Sequence, residues 1–153
     1  MPNYKGHLLG GVVAWGLLLY GVRDVHPTGI TCMEWLGWCL FGSLFPDIDT
    51  HSKGRKIFYY AVSTGLIYFL LAGKYQFFIA LSMVSVVPFF VRHRGIFHRA
   101  WFILLCCIVP WLYIRTTFPQ YVVPAQWSVL FFGIGALSHL LLDFGVARTI
   151  KRL

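Results

Sequence analysis

The stretch "PAQWSVLFFGIGALSHLLLDFGVA", residues 124–147, decides how the whole chain is read. It runs 24 residues with one histidine, one acid and no Lys or Arg, and a helix of ~17–25 apolar residues is what bridges a bilayer core. Working outward, five further apolar runs precede it, at roughly 8–22, 29–45, 57–73, 76–92 and 100–117. The composition agrees: 58% of the 153 residues are hydrophobic and 12% charged, more apolar surface than one soluble core of this size conceals. The expected fold is all-α, a polytopic membrane helical bundle of about six helices forming a single membrane-embedded domain, residues 1–153.

Turn chemistry separates the runs. Arg23 to Gly29 holds Asp, His, Pro and Gly; Pro46 to Lys56 holds two Asp and a Gly; Gly73-Lys74-Tyr75 reads as a tight hairpin; Phe118 to Pro124 holds two prolines. Pro88 and Pro110 fall inside runs, where helices in lipid tolerate the kink. A signal peptide competes for the first run, since Lys5 precedes it. Because "YGVRDVHP" follows with no small-residue cleavage site, the run is expected to be retained.

The formal charge of +8, from 13 Lys and Arg against 5 Asp and Glu, has two readings. Nucleic acid is one. Membrane topology is the other, and placement decides between them. With both termini cytoplasmic, the inner segments carry Lys5, Lys53, Arg55, Lys56, Arg92, Arg94, Arg99, Arg148, Lys151 and Arg152, and the outer loops only Arg23, Lys74 and Arg115. Topology thus accounts for the excess, and no nucleic-acid partner is expected.

The same assignment gathers His7, Asp47, Asp49, His51, His93, His98, His139 and Asp143 on or near the cytoplasmic side. "SHLLLD" puts His139 and Asp143 at i and i+4, one helix face and about one turn apart, which suits a chelated metal or a structural pair. "FPDIDTHS" supplies Asp47, Asp49 and His51 from a turn, where carboxylates bridge metals or cap the next helix. "VRHRGIFHRA", residues 91–100, sets His93 and His98 around Gly95, with Arg94 or Arg92 placed to meet an anionic oxygen; headgroup contact is the plainer reading of that loop. His7 gains weight only by lying on the same side. Cys32, Cys39, Cys106 and Cys107 lie in apolar runs without CxxC spacing and read as small buried hydrophobes. Tryptophans such as Trp35, Trp101 and Trp127 sit near run ends or packing faces, as interfacial anchors do.

"GHLLGG" around His7, "FPDIDTHS", "HRGIFH" and "SHLLLD" stand in an order and spacing that resemble the YdjM-like family of membrane-bound metal-dependent hydrolases. The resemblance covers nearly the whole chain. It implies a hydrolase whose polar positions fall on His7, Asp47, Asp49, His51, His93, His98, His139 and Asp143. The helical His and Asp arrangement is similar, more distantly, to the multi-zinc sites of zinc-dependent phospholipase C and P1 nuclease. Phe97 and Arg99 depart from the pattern, in which small hydroxyl residues are common.

The expected function is a membrane-bound metal-dependent hydrolase of the bacterial inner membrane, with about two or three zinc ions, or manganese, on the cytoplasmic side. Its expected substrate is a phosphoester of a membrane lipid or lipid-linked phosphate. Asp49 is the expected catalytic carboxylate, with Arg94 and Arg99 stabilising phosphoryl charge. Two alternatives use the same residues: an ion or proton transporter, which would place them nearer the midplane, and a structural membrane protein stapled by metal.

Overall fold

The computed structural model describes residues 3–49, 53–90 and 96–150. In chain order they form α1 (Tyr4–Gly21), α2 (Gly29–Leu44), α3 (Lys53–Leu71), α4 (Tyr75–Phe90), α5 (Ala100–Thr117) and α6 (Val122–Ile150). Short 3-10 turns occupy Arg23–Val25, Phe45–Asp49, Ile96–His98 and Pro119–Tyr121. No strand occurs among the described residues, so the fold is all-α with six helices, as the apolar runs predict.

Local chemistry explains where the helices start and stop. The Asn3 side-chain oxygen accepts a hydrogen bond from the Gly6 N–H at 3.2 Å, so α1 begins at Tyr4 and takes His7 into its first turn. Thr28 caps α2 in the same manner through the Thr31 N–H, also at 3.2 Å. Gly73, with φ at +66°, closes the α3–α4 hairpin in a conformation that favours glycine. At Phe45 the chain tightens from α2 into a 3-10 turn that carries Pro46 and Asp47, because proline gives no N–H to prolong the α-helical ladder.

The tightest packing lies between α2 and α6. A Cβ on Gly42 would overlap the Phe132 carbonyl, and one on Gly135 would overlap the Cys39 carbonyl; small residues let helix backbones approach this closely. Helix α1 lies across both, with the Cys39 thiol donating to the Gly11 carbonyl at 3.3 Å. Trp35, Cys39 and Phe131 are buried where these helices meet. Helix α5 docks on α6 through Ile103, Ala136 and Leu140. Helices α3 and α4 pack mainly on each other and on the Phe45–Asp49 turn, where Ile48, Phe58, Val62 and Phe97 form a separate cluster.

The outer surface is apolar, with Ile30 85% and Leu71 82% exposed, as suits lipid contact. Among the described residues two segments are long and apolar enough to cross a membrane, Ala100–Thr117 and Pro119–Gly145. That is fewer than the six runs suggest. Helices α2 and α4 have 16 residues each, and at 1.5 Å per residue they fall short of a hydrocarbon core ~30 Å thick. Helices α1 and α3 carry Lys5 or Lys53, Arg55 and Lys56 in their first turns.

Candidate metal centre

Four elements deliver five polar side chains to one end of the bundle. His7 comes from the first turn of α1, Asp47 from the turn after α2, His98 from the turn before α5, and His139 with Asp143 from successive turns of α6. Their side chains are enclosed: His98, His139 and Asp143 have no exposure, His7 has 2%, and only Asp47 opens to the surface, at 21%.

The ring nitrogens and carboxylate oxygens face one another at 3.4–3.8 Å, longer than the ~2.7–2.9 Å of a charge-assisted hydrogen bond. His7 Nε2 lies 3.4 Å from Asp143 Oδ1. His98 Nε2 lies 3.5 Å from Asp47 Oδ1 and 3.8 Å from Asp143 Oδ2. His139 Nε2 lies 3.6 Å from each of the same two oxygens. Two donors held ~2.0–2.1 Å from a tetrahedral zinc stand about 3.3–3.4 Å apart, so these spacings fit a shared cation better than direct pairing.

The protonation pattern points the same way. His139 Nδ1 lies 2.7 Å from the Ser43 carbonyl oxygen; a carbonyl only accepts, so Nδ1 carries the proton and donates. In the neutral ring, Nε2 is then a lone pair directed at two carboxylate oxygens. Neither His139 Nε2 nor either Asp143 oxygen has a hydrogen-bond partner among the described residues. Enclosed acceptors facing acceptors are costly without a cation between them. A backbone carbonyl that fixes the far nitrogen of a ligating histidine is also the usual support for a metal site. At Asp47, burial pushes the carboxyl up, whereas positive charge on the facing His139 and His98 rings would outweigh it and hold the group well below the ordinary carboxylate range; with His139 neutral, a cation between them takes that part.

Two overlapping groups could hold an ion: His7, His139 and Asp143, and Asp47, His98 and His139. With Nδ1 committed to Ser43, His139 has a single free donor atom and serves one ion only. Asp143 does not share that limit, since Oδ1 faces His7 while Oδ2 faces His98 and His139. The donor set therefore divides into a four-atom group of His98, His139, Asp47 and Asp143 Oδ2, and His7 beside Asp143 Oδ1. The rings also brace one another, His7 stacking on His139 at 3.7 Å between centroids.

Of the residues the sequence singles out, His7, Asp47, His98, His139 and Asp143 are brought together. Asp49 lies two residues beyond Asp47 in the same 3-10 turn, and Arg99 is exposed directly before α5, next to His98. His51, His93 and Arg94 lie outside the described residues. Sequence reasoning missed Ser43, whose contribution is a backbone carbonyl. The nearest available signal was Gly42 beside it, the small residue at which α2 approaches the α6 backbone. Of the cysteines, Cys39 is buried and Cys32, Cys106 and Cys107 are half-buried, all four with free thiols.

No curated protein and no solved structure matches the chain. The family described as YdjM inner membrane protein matches residues 1–152. With the histidine and aspartate motifs of α1, of the turns after α2 and before α5, and of α6 inside that match, the chain belongs to the YdjM inner membrane protein family.

Proposed function

We propose that this chain, residues 1–153 as one membrane-embedded domain, is a metal-dependent hydrolase that cleaves a phosphoester of a lipid or lipid-linked substrate at the cytoplasmic membrane surface. The observation that carries the reading is the convergence of five His and Asp side chains with donor atoms 3.4–3.8 Å apart. Imidazole and carboxylate donors at this spacing suit zinc, with manganese the second choice. A divalent ion held there supplies a Lewis acid and a bound water acidic enough to be deprotonated near neutral pH.

The chain's own residues do the rest. Ser43 orients His139 through its carbonyl, and Asp143 presents its two oxygens to opposite sets of rings. Asp47 is the open edge, so substrate approaches from its side, where Asp49 belongs to the same turn. Arg99, with Arg94, provides the positive charge that meets phosphoryl oxygens, and His51 and His93 are the remaining donors of the set. Lys5, Lys53, Arg55, Lys56 and Arg99 sit at helix starts on the same end as the centre, which supports a cytoplasmic orientation.

The full chain, purified in a sugar-headgroup detergent and loaded with zinc or manganese, is to be assayed on phosphatidate, isoprenoid phosphates and a chromogenic phosphodiester. Metal-dependent turnover of at least one of them, abolished by Asp143→Asn, is expected. A second reading, a metal staple that joins loops to helices, is favoured by the enclosure of His98, His139 and Asp143. Tight metal binding with no turnover across the panel would select it.

A further inference from the structure

At the end of the bundle away from the candidate centre, α2 and α6 diverge around a cleft of about 280 Å³. Its walls include Thr31, Glu34, Trp35, Pro27, Pro124 and Trp127. The volume lies just under the ~300–1,000 Å³ of pockets that take whole drug-sized ligands, so it suits a small headgroup.

The lining has one formal charge. Glu34 is exposed on an otherwise apolar helix face, and its one hydrogen bond among the described residues is a long one, accepted from the Ser128 hydroxyl at 3.5 Å. No basic side chain pairs with it among the described residues, in a chain whose formal charge is +8. The nearest Lys or Arg in sequence, Arg23, is engaged elsewhere, lying over the Tyr20 ring at 4.9 Å and 4.0 Å from Asp24. Beside Glu34 stand two indoles, Trp35 and Trp127, tilted at 35° with centroids 5.2 Å apart. Trp35 is held rigid, 3% exposed and stacked on Phe131 at 4.8 Å.

A lone carboxylate excludes phosphate and other anions, and one carboxylate with a threonine gives too few oxygens for a hard divalent ion. An indole with a nearby negative charge is what recognises an alkylammonium group; Trp35, covered by Phe131 and Trp127, braces the half-buried Trp127 ring that lines the cleft beside Glu34. Glu34 is six residues into α2, with ten more residues, about 15 Å of helix, separating it from Leu44. The cleft is therefore at the opposite end of α2 from the candidate centre.

We infer that the Glu34–Trp35–Trp127 cleft is a binding site for an alkylammonium cation. The group comes either from the headgroup of an amine lipid or from a soluble amine, and the experiment separates these sources.

Equilibrium dialysis of radiolabelled tetramethylammonium against the full chain in a sugar-headgroup detergent is the test, with Glu34→Gln and Trp127→Leu alongside. Saturable retention, weakened at least tenfold in each variant that elutes like the parent on size exclusion, is the expected result. Retention that never saturates, or that is unchanged in a folded variant, overturns the site. Displacement of the probe on transfer to nanodiscs containing phosphatidylethanolamine, but not to phosphatidylglycerol alone, assigns the group to a lipid headgroup. Displacement only by added ethanolamine assigns it to a soluble amine.

Discussion

Helices α1, α2 and α6 make their closest approaches at glycines and backbone carbonyls, whereas the α3–α4 hairpin meets the rest of the chain through aromatic and branched side chains. The difference separates a part of the molecule that sets distances from a part that fills space. Where Gly42 and Gly135 bring backbones together, the Ser43 carbonyl reaches His139 Nδ1 with no side-chain freedom in between. Around Phe58 and Val62, by contrast, rotamers can adjust. Three of the five gathered residues, His7, His139 and Asp143, belong to the first group of helices, and the hairpin contributes none.

The most severe break is at Asp143, the residue both donor groups share. Asp143→Asn is expected to weaken zinc affinity more than the roughly 10–100-fold that follows loss of a supporting contact, measured by competition with a chelating dye. Affinity equal to the parent protein would remove Asp143 from the centre.

Gly135→Val attacks the same centre from a distance. The added side chain drives α6 from the Cys39 carbonyl, with an expected loss of about 1–3 kcal/mol of stability. It also lowers zinc affinity about 10–100-fold as Ser43 withdraws from His139. Thermal unfolding and the dye titration report the two effects separately. Lost stability with unchanged affinity would show that the α2–α6 contact does not position the histidine.

Phe58→Ala sharpens the contrast, because it empties the hairpin cluster without touching a donor. It should cost about 3–5 kcal/mol, read by denaturant titration, while zinc affinity, reached only through Ile48 and Phe97 beside Asp47 and His98, falls by less than in Gly135→Val. A large loss of affinity would make the hairpin part of the metal scaffold.

The smallest effect is expected at Ser43 itself. Its hydroxyl donates to the Leu40 carbonyl at 2.8 Å, and it is the backbone that holds His139. Ser43→Ala should therefore lose only about 0.5–1.5 kcal/mol and keep its metal. Loss of metal in this variant would transfer the role from the carbonyl to the hydroxyl.

Helix number and turn positions were legible in the sequence because apolar runs and punctuating Gly, Pro and Asp are local signals. The Gly73 hairpin and the α5 bounds fall where the residues put them. The start of α1 was not legible from hydropathy, since an Asn3 cap lets a helix begin on Tyr4 and Lys5 before the apolar run does. The site was legible as a set of residues, since i and i+4 spacing places His139 beside Asp143. Its partition was not: which oxygen of Asp143 faces His7, and which nitrogen of His139 is committed to Ser43, depend on how α1, α2 and α6 cross. Glu34 carried no motif, and its place in one cleft with Trp127, 93 positions away, arises only from the α2–α6 crossing.

The central claim is that the enclosed His and Asp donors hold a divalent ion. Elemental mass spectrometry of the full chain, purified without chelator beside a His139→Ala/Asp143→Ala double variant, tests it most directly. The account predicts stoichiometric zinc or manganese in the parent protein and none in the variant. A parent protein free of metal that fails to take up zinc on titration, or a double variant that retains the parent's metal, would contradict it.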